Sequence, residues 1–236
     1  MRKAIVLSSL LAGCIVSNPL VANDVLPSIS IQLWSVKDAL KEDFNGTLKS
    51  LADMGFDGVE FAGHFGSYQD RPKQLNKLLD SLGLLVSGAH VSLDALNKSR
   101  LKQTLHFYKH LGTTDIIVGW EPKAWHKDGV NEVIRILNKA SIEAKKMGMR
   151  VGMHSHKRIL EKYQKSTFWD FIAQNTTKDV ILQLDVGWTT YVGEDPIKYI
   201  NRYPCRTKTT HYKANANLNK QTNKLPLINK DGTDWL

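Results

Sequence analysis

The chain has 236 residues, 42% of them hydrophobic, which is enough material for one large domain or two small ones and excludes a disordered composition. Its formal charge of +9 falls by two if Arg2 and Lys3 leave with a leader, a modest excess that fits a solvated surface and gives no reason to expect a nucleic-acid partner. The two cysteines are Cys14 and Cys205, so removal or lipidation of Cys14 leaves no intramolecular disulfide, and a metal site must draw on imidazole and carboxylate ligands.

Arg2 and Lys3, followed by the apolar run Ala4 to Leu11, read as an export signal within residues 1–22, too short to span a bilayer as a permanent helix. Two processing routes fit: cleavage after Ala22, and lipidation at Cys14 in Leu11-Ala12-Gly13-Cys14, which resembles the lipobox of bacterial lipoproteins. Either route predicts an exported bacterial protein, periplasmic or anchored to the membrane through a lipid at Cys14.

Residues 23–236 read as one strand-helix domain. Runs rich in β-branched and apolar residues recur at intervals of about 30 residues, the length of a βαβ unit. They cover Ile29 to Trp34, Gly58 to Ala62, Leu85 to His90, Asp115 to Trp120, Arg150 to His154, Ile181 to Val186 and Arg206 to Tyr212. Between them, Leu75, Leu78, Leu79 and Leu82 share one helical face, as do Val133, Ile136, Leu137, Ala140 and Ala144. An apolar residue followed by glycine marks four helix ends, at Gly55, Gly83, Gly112 and Gly148, where glycine can take the left-handed conformation.

Seven parallel strands could build a doubly wound sheet, but Gln32-Leu33-Trp34-Ser35-Val36-Lys37 lacks the glycine-rich phosphate loop that usually follows the first strand of that fold. The better fit is an α/β (β/α)8 TIM barrel that is C-terminally incomplete, its eighth strand lying beyond Leu236. A barrel short of one strand leaves two unpaired edges, which predicts low stability or reliance on a partner chain, such as a second copy in a homo-oligomer.

Catalytic groups of such barrels project from the carboxyl ends of the strands. Glu60 and His64, His90, Glu121, His154 and His156, Asp185, and His211 with Lys213 all fall there, including five of the eight histidines. His154, Asp185 and His211 could converge on one divalent ion, while His64, Glu121 and also His126 read as ordinary rim residues. Trp34, Trp120 and Trp188 fall at or just past strand ends, where rings could stack on the C–H faces of a sugar or pack the rim.

These residues carry a resemblance. Ile31-Gln32-Leu33-Trp34-Ser35-Val36-Lys37-Asp38, Gly55-Phe56-Asp57-Gly58-Val59-Glu60-Phe61-Ala62-Gly63, His154-Ser155-His156, Leu184-Asp185-Val186-Gly187-Trp188 with Gly193-Glu194-Asp195-Pro196, and His211-Tyr212-Lys213 are similar to the strand motifs of the exported sugar phosphate isomerase/epimerase family, within the xylose isomerase-like TIM barrel superfamily. The resemblance covers residues 29–235, the stretch Gly232-Thr233-Asp234-Trp235 looking like the lead-in to an eighth strand.

The resemblance implies a divalent ion (manganese, cobalt, magnesium or zinc) held by His154, Asp185 and His211, a fourth ligand from strand eight having no counterpart here. It implies proton abstraction beside a carbonyl, with the ion polarising the carbonyl oxygen and stabilising an enediolate. Glu60, His156 and Lys213 are the candidate catalytic groups, and Trp34, His90, Trp120 and Trp188 the candidate substrate-binding ones. Two departures stand out: position 154 is histidine where many relatives have glutamate, and Ala214-Asn215 stands where they often have aspartate. The leading expectation is a metal-dependent isomerase or epimerase of a small-molecule sugar or cyclitol. Its alternatives are a sugar lyase or dehydratase of the same superfamily, a non-catalytic sugar-binding lipoprotein, and a hydrolase like the apurinic endonucleases that share the barrel.

Overall fold

A computed structural model describes residues 27–214 of the chain. The expected leader with Cys14, and the tail from Asn215 onward, lie outside the described residues. All seven expected strands form: β1 (Ser30–Gln32), β2 (Gly58–Phe61), β3 (Leu85–Val91), β4 (Asp115–Val118), β5 (Arg150–His154), β6 (Ile181–Asp185) and β7 (Thr210–His211). They pair in chain order and every pair is parallel. A doubly wound sheet reverses its strand order partway, so this unbroken order is that of a barrel. Among the described residues β1 and β7 have one strand partner each, leaving the barrel open between them.

The period-two alternation of the strands sorts their side chains into two environments. Val59, Phe61, Ile116, Val118, Val151, Met153, Leu182 and Leu184 face outward and belong to the main apolar core. Covering them are helices α1 (Lys37–Glu42), α2 (Phe44–Asp53), α3 (Pro72–Ser81), α4 (Leu101–Leu111), α5 (Val130–Lys146), α6 (Phe168–Asn175), α7 (Val186–Tyr191) and α8 (Pro196–Arg202). The expected face of α5 is buried in full, and Leu75 and Leu79 of α3 are completely covered. Gly55, Gly83, Gly112 and Gly148 all have positive φ, between 70° and 98°, as their helix-ending positions demand.

Inside the barrel, Ile117 and Ile181 fill the lower level around Gly152, where a Cβ would sit 2.6 Å from the Ile181 Cβ. Above them the lining turns polar. A β-bulge between β2 and β3 lets one residue, Ser87, go unmatched and sets Gly88 opposite Glu60.

Three features differ from the sequence expectation. β1 is half the expected length because the Gln32 side chain accepts the Trp34 N–H and turns the chain into a 3-10 turn over Leu33–Val36. β7 is cut to two residues because Arg206, expected as its first residue, is drawn to the end of α6. A small antiparallel hairpin, Lys162–Tyr163 with Ser166–Thr167, stands between β5 and α6 and was not anticipated. No helix among the described residues is long and apolar enough to cross a membrane.

Candidate active site

The inward positions of β2, β3, β5, β6 and β7 bring Glu60, His90, His154, Gln183, Asp185 and His211 together at the carboxyl end of the barrel. Gln183 and Asp185 are two residues apart on β6 and so share its inner face. Gln183 has no solvent exposure and is the hub of the cluster. Its Nε2 donates to Glu60 Oε1 (2.7 Å) and Thr209 Oγ1 (2.9 Å), and its Oε1 lies 2.8 Å from His90 Nε2 and 3.0 Å from His154 Nδ1.

Glu60 is buried beneath the imidazoles, with Oε2 accepting from His211 Nε2 at 2.7 Å. Burial alone would raise its carboxyl pKa, but the His211 hydrogen bond, the Coulombic pull of His90 and His211 in their protonated forms and the Gln183 amide outweigh it and hold the pKa below the usual value. Burial pushes His90 below the ordinary imidazole value and His154 well below it, with the neighbouring imidazoles adding to the effect. Both are neutral at pH 7, the form in which imidazole binds metals.

Asp185 is raised by burial, against the Trp188 N–H and Lys213. Its Oδ1 accepts the Trp188 N–H (2.8 Å) and so caps α7, while Oδ2 lies 3.8 Å from His154 Nε2. That separation is close to the roughly 3.4 Å expected between two ligands each about 2.05 Å from a shared tetrahedral ion. A metal-binding histidine typically donates its second nitrogen to a buried acceptor, and His211 does so to Glu60 and His154 to Gln183. The spacing of His154 and Asp185 thus suits two ligands of one divalent ion, and with Nε2 of His211 engaged by Glu60, its Nδ1 is the atom a third ligand would use. His90 completes a trio with His154 and His211 whose potential ligand atoms lie within 4.8 Å of one another. Its two nitrogens already face Gln183 and, at 3.4 Å, Gln32 Nε2, which places it in the wall of the site.

A second group forms the rim. His156 sits edge-on to Trp120 with ring centroids 4.5 Å apart, and its ring centre is 4.4 Å from that of Trp188. Lys213 lies over the Trp188 ring, its Nζ 3.6 Å from the centroid. Burial, reinforced by the positive charges of Lys213 and Lys157, lowers the His156 pKa to about 4, and its Nδ1 is buried without a hydrogen-bond partner among the described residues. Burial also lowers Lys213, with Asp185 pulling the other way.

Trp120 is 54% exposed. Trp34 is 62% exposed beside Lys37, and its backbone N–H donates to the Gln32 side chain, which in turn reaches His90. The rim residues stand apart: Glu121 caps the 3-10 turn Pro122–Trp125 and His64 packs on Phe44. Gln183, Gln32, Thr209 and Trp125, which meets Trp120 at 4.8 Å, were not singled out from sequence. For Gln183 a signal existed, since it is the polar residue two before Asp185 in an otherwise apolar strand.

A parallel strand-helix barrel with buried imidazoles and carboxylates at its carboxyl mouth has the architecture of TIM-barrel enzymes, whose active sites lie at that face. The sequence profile of the xylose isomerase-like TIM barrel family matches residues 48–231, and the chain belongs to that family. No curated protein sequence matches the chain.

Among solved structures, it is similar to a sugar phosphate isomerase/epimerase from Parabacteroides distasonis ATCC 8503, at 23% identity and a TM-score of 0.68, over 81% of this chain and 79% of that one. It is also similar to an L-ribulose 3-epimerase (20% identity, TM-score 0.57, 79% of this chain and 69% of that one). A third is the probable 3-DHS dehydratase involved in petrobactin synthesis from Bacillus anthracis (15% identity, TM-score 0.60, 80% and 73%). At these identities the structures establish a shared fold.

Proposed function

We propose that the chain is a metal-dependent isomerase or epimerase acting on a sugar or cyclitol by proton abstraction next to a carbonyl. The observation that carries this reading is the pairing of His154 Nε2 with Asp185 Oδ2, beside a His211 whose other nitrogen is tied to Glu60. A bound divalent ion would supply Lewis-acid polarisation of the substrate carbonyl.

The remaining roles fall to the chain's own side chains. Trp120 and Trp188 offer faces for the C–H surface of a sugar ring. Lys213, half-buried over Trp188, is placed to donate to a substrate oxygen. His156 is unprotonated at neutral pH and has a free Nδ1 within the aromatic group, so it is the group available to take up a proton. Glu60 has both oxygens engaged and acts by orienting His211, a positioning role in place of the acid/base role anticipated for it.

The basic and apolar N-terminal run supports export to the periplasm or anchoring at Cys14, where unphosphorylated sugars are the accessible substrates. A dehydratase reading draws on the structural likeness to the probable 3-DHS dehydratase and shares the same first proton transfer.

The test is to titrate purified protein with zinc, manganese, cobalt and magnesium, and then to incubate the loaded protein with ketoses, aldoses and inososes in deuterated solvent. Metal binding with deuterium incorporated beside the carbonyl is expected, and loss of water from the product would select the dehydratase. Metal binding without exchange on any of them would sink the enzymatic reading and leave a sugar-binding protein.

A further inference from the structure

We infer that Gln183 is a positioning residue that fixes the tautomers of His90 and His154, turning the bare Nε2 of His154 toward Asp185. The inference rests on the metal site proposed above, but its structural part can be measured in the metal-free protein.

The argument follows from donor and acceptor counting. Glu60 is a carboxylate and can only accept, so the Gln183 atom 2.7 Å from its Oε1 must be the amide nitrogen. That orientation uses the second amide hydrogen on Thr209 Oγ1 at 2.9 Å. The amide oxygen then has two lone pairs and two neighbours, His90 Nε2 at 2.8 Å and His154 Nδ1 at 3.0 Å, and both must donate to it.

A neutral imidazole has one N–H. With His90 protonated on Nε2, its Nδ1 is an acceptor, in agreement with Gln32 Nε2 at 3.4 Å. With His154 protonated on Nδ1, its Nε2 is a lone pair, and this atom is the one 3.8 Å from Asp185 Oδ2. The opposite tautomer of His154 would aim an N–H at Asp185, close the ligand position with a hydrogen bond and leave the buried Gln183 oxygen short of a donor. One amide, wholly buried and held at four points, thus decides which nitrogen of His154 is offered to the mouth.

The space for this arrangement is built in. Gly119 and Gly88 have no side chain where a Cβ would lie 2.4 Å from His90 Nδ1 and 3.2 Å from Glu60 Oε1. Substituting either would push on the two groups that Gln183 connects.

The test uses imidazole nitrogen chemical shifts of the 15N-labelled, metal-free protein, with binding of zinc alone measured by competition against a chromogenic chelator. His154 is expected to carry its proton on Nδ1 and His90 on Nε2. Gln183→Met, close in size but without the amide, is expected to move His154 to the Nε2 proton and weaken zinc binding by roughly 10–100-fold. Gln183→Glu, which keeps an oxygen for both imidazoles, should leave the proton on His154 Nδ1.

A wild-type His154 protonated on Nε2 alone overturns the proposal without recourse to any variant. So does a folded Gln183→Met protein with unchanged nitrogen shifts. If the wild-type tautomers are as stated and zinc does not bind, the metal reading of the site fails while the assignment to Gln183 stands.

Discussion

Replacing Arg206 by methionine should unfasten the open side of the barrel. Arg206 is buried without an acidic partner among the described residues, and burial pulls its pKa below the ordinary arginine value. Its guanidinium donates to Val180 O (2.9 Å), to Thr176 Oγ1 (2.8 Å) and to Ala173 O near the C-terminus of α6, where the helix dipole favours a cation.

A hydrogen bond from a charged donor contributes about 1.5–3 kcal/mol, so three give about 4.5–9 kcal/mol. Methionine avoids the several kcal/mol that desolvating a guanidinium costs, and the net loss should be about 3–5 kcal/mol. With a urea m-value of about 2 kcal/mol/M, the unfolding midpoint should fall by about 1.5–2.5 M.

The effect should extend to the site, because β7 has β6 as its one strand partner among the described residues and Arg206 ties the chain just before it to α6. Zinc affinity, read from the same preparations, should drop as His211 loses its fixed position. Arg206→Lys keeps the charge but loses the planar fork, and should fall between the two. A midpoint lowered by less than about 0.5 M for Arg206→Met would refute the claim that this residue holds β7 in place.

Asp170 is expected to make the protein acid-sensitive. Burial opposes ionisation there, but hydrogen bonds from Arg202, Tyr203 and Thr167 outweigh it and lower the pKa, so the stability it confers is complete above the unfolded carboxylate value of about 3.9 and lost as pH falls through the lower folded value. Thermal melts of wild type and Asp170→Asn from pH 6 to 2 should converge at the acid end, and parallel curves would exclude the mechanism. Gly187→Ala puts a Cβ 2.3 Å from Lys213 O, so it should lower the melting temperature at a cost of about 1–3 kcal/mol although alanine is the better helix former; an unchanged or higher melt would contradict this. Lys213→Met removes a positive charge facing His156, whose pKa should rise from about 4 toward the ordinary imidazole value in an NMR titration, only partly because burial remains the larger cause.

What the sequence revealed and what it hid divide along physical lines. The strands were legible because their apolar, β-branched runs recur at about the length of a βαβ unit, and the four helix-ending glycines because only a left-handed residue serves there. His154, Asp185 and His211 stood out as polar groups ending apolar runs. Gln183 was passed over because an amide in an apolar run, although it marks an inward position, shows no role until the fold brings Glu60, His90 and His154 to it. The contact of Glu60 with His211 joins residues 151 apart in sequence, which no local pattern encodes. Trp34, Trp120 and Trp188 were equivalent as strand-end aromatics, yet only the latter two enclose His156. The brevity of β7 was hidden because the pull on Arg206 comes from the end of α6, some 30 residues earlier.

The histidine at position 154 also bears on which ion the site should prefer. Two imidazoles and one carboxylate form a mixed nitrogen and oxygen donor set, whereas magnesium favours oxygen donors and retains much of its water. Glutamate at 154 would put a third carboxylate beside Glu60 and Asp185, with no place for a hydrogen bond donated to Gln183 Oε1 from that side. With histidine, the two carboxylates match the two charges of a divalent ion, and the imidazole Nδ1–H satisfies the amide oxygen. Affinities should therefore rank zinc above cobalt, cobalt above manganese, and magnesium last. Competition titrations at fixed pH read this order directly, and magnesium binding as tightly as zinc would show that His154 is not a ligand.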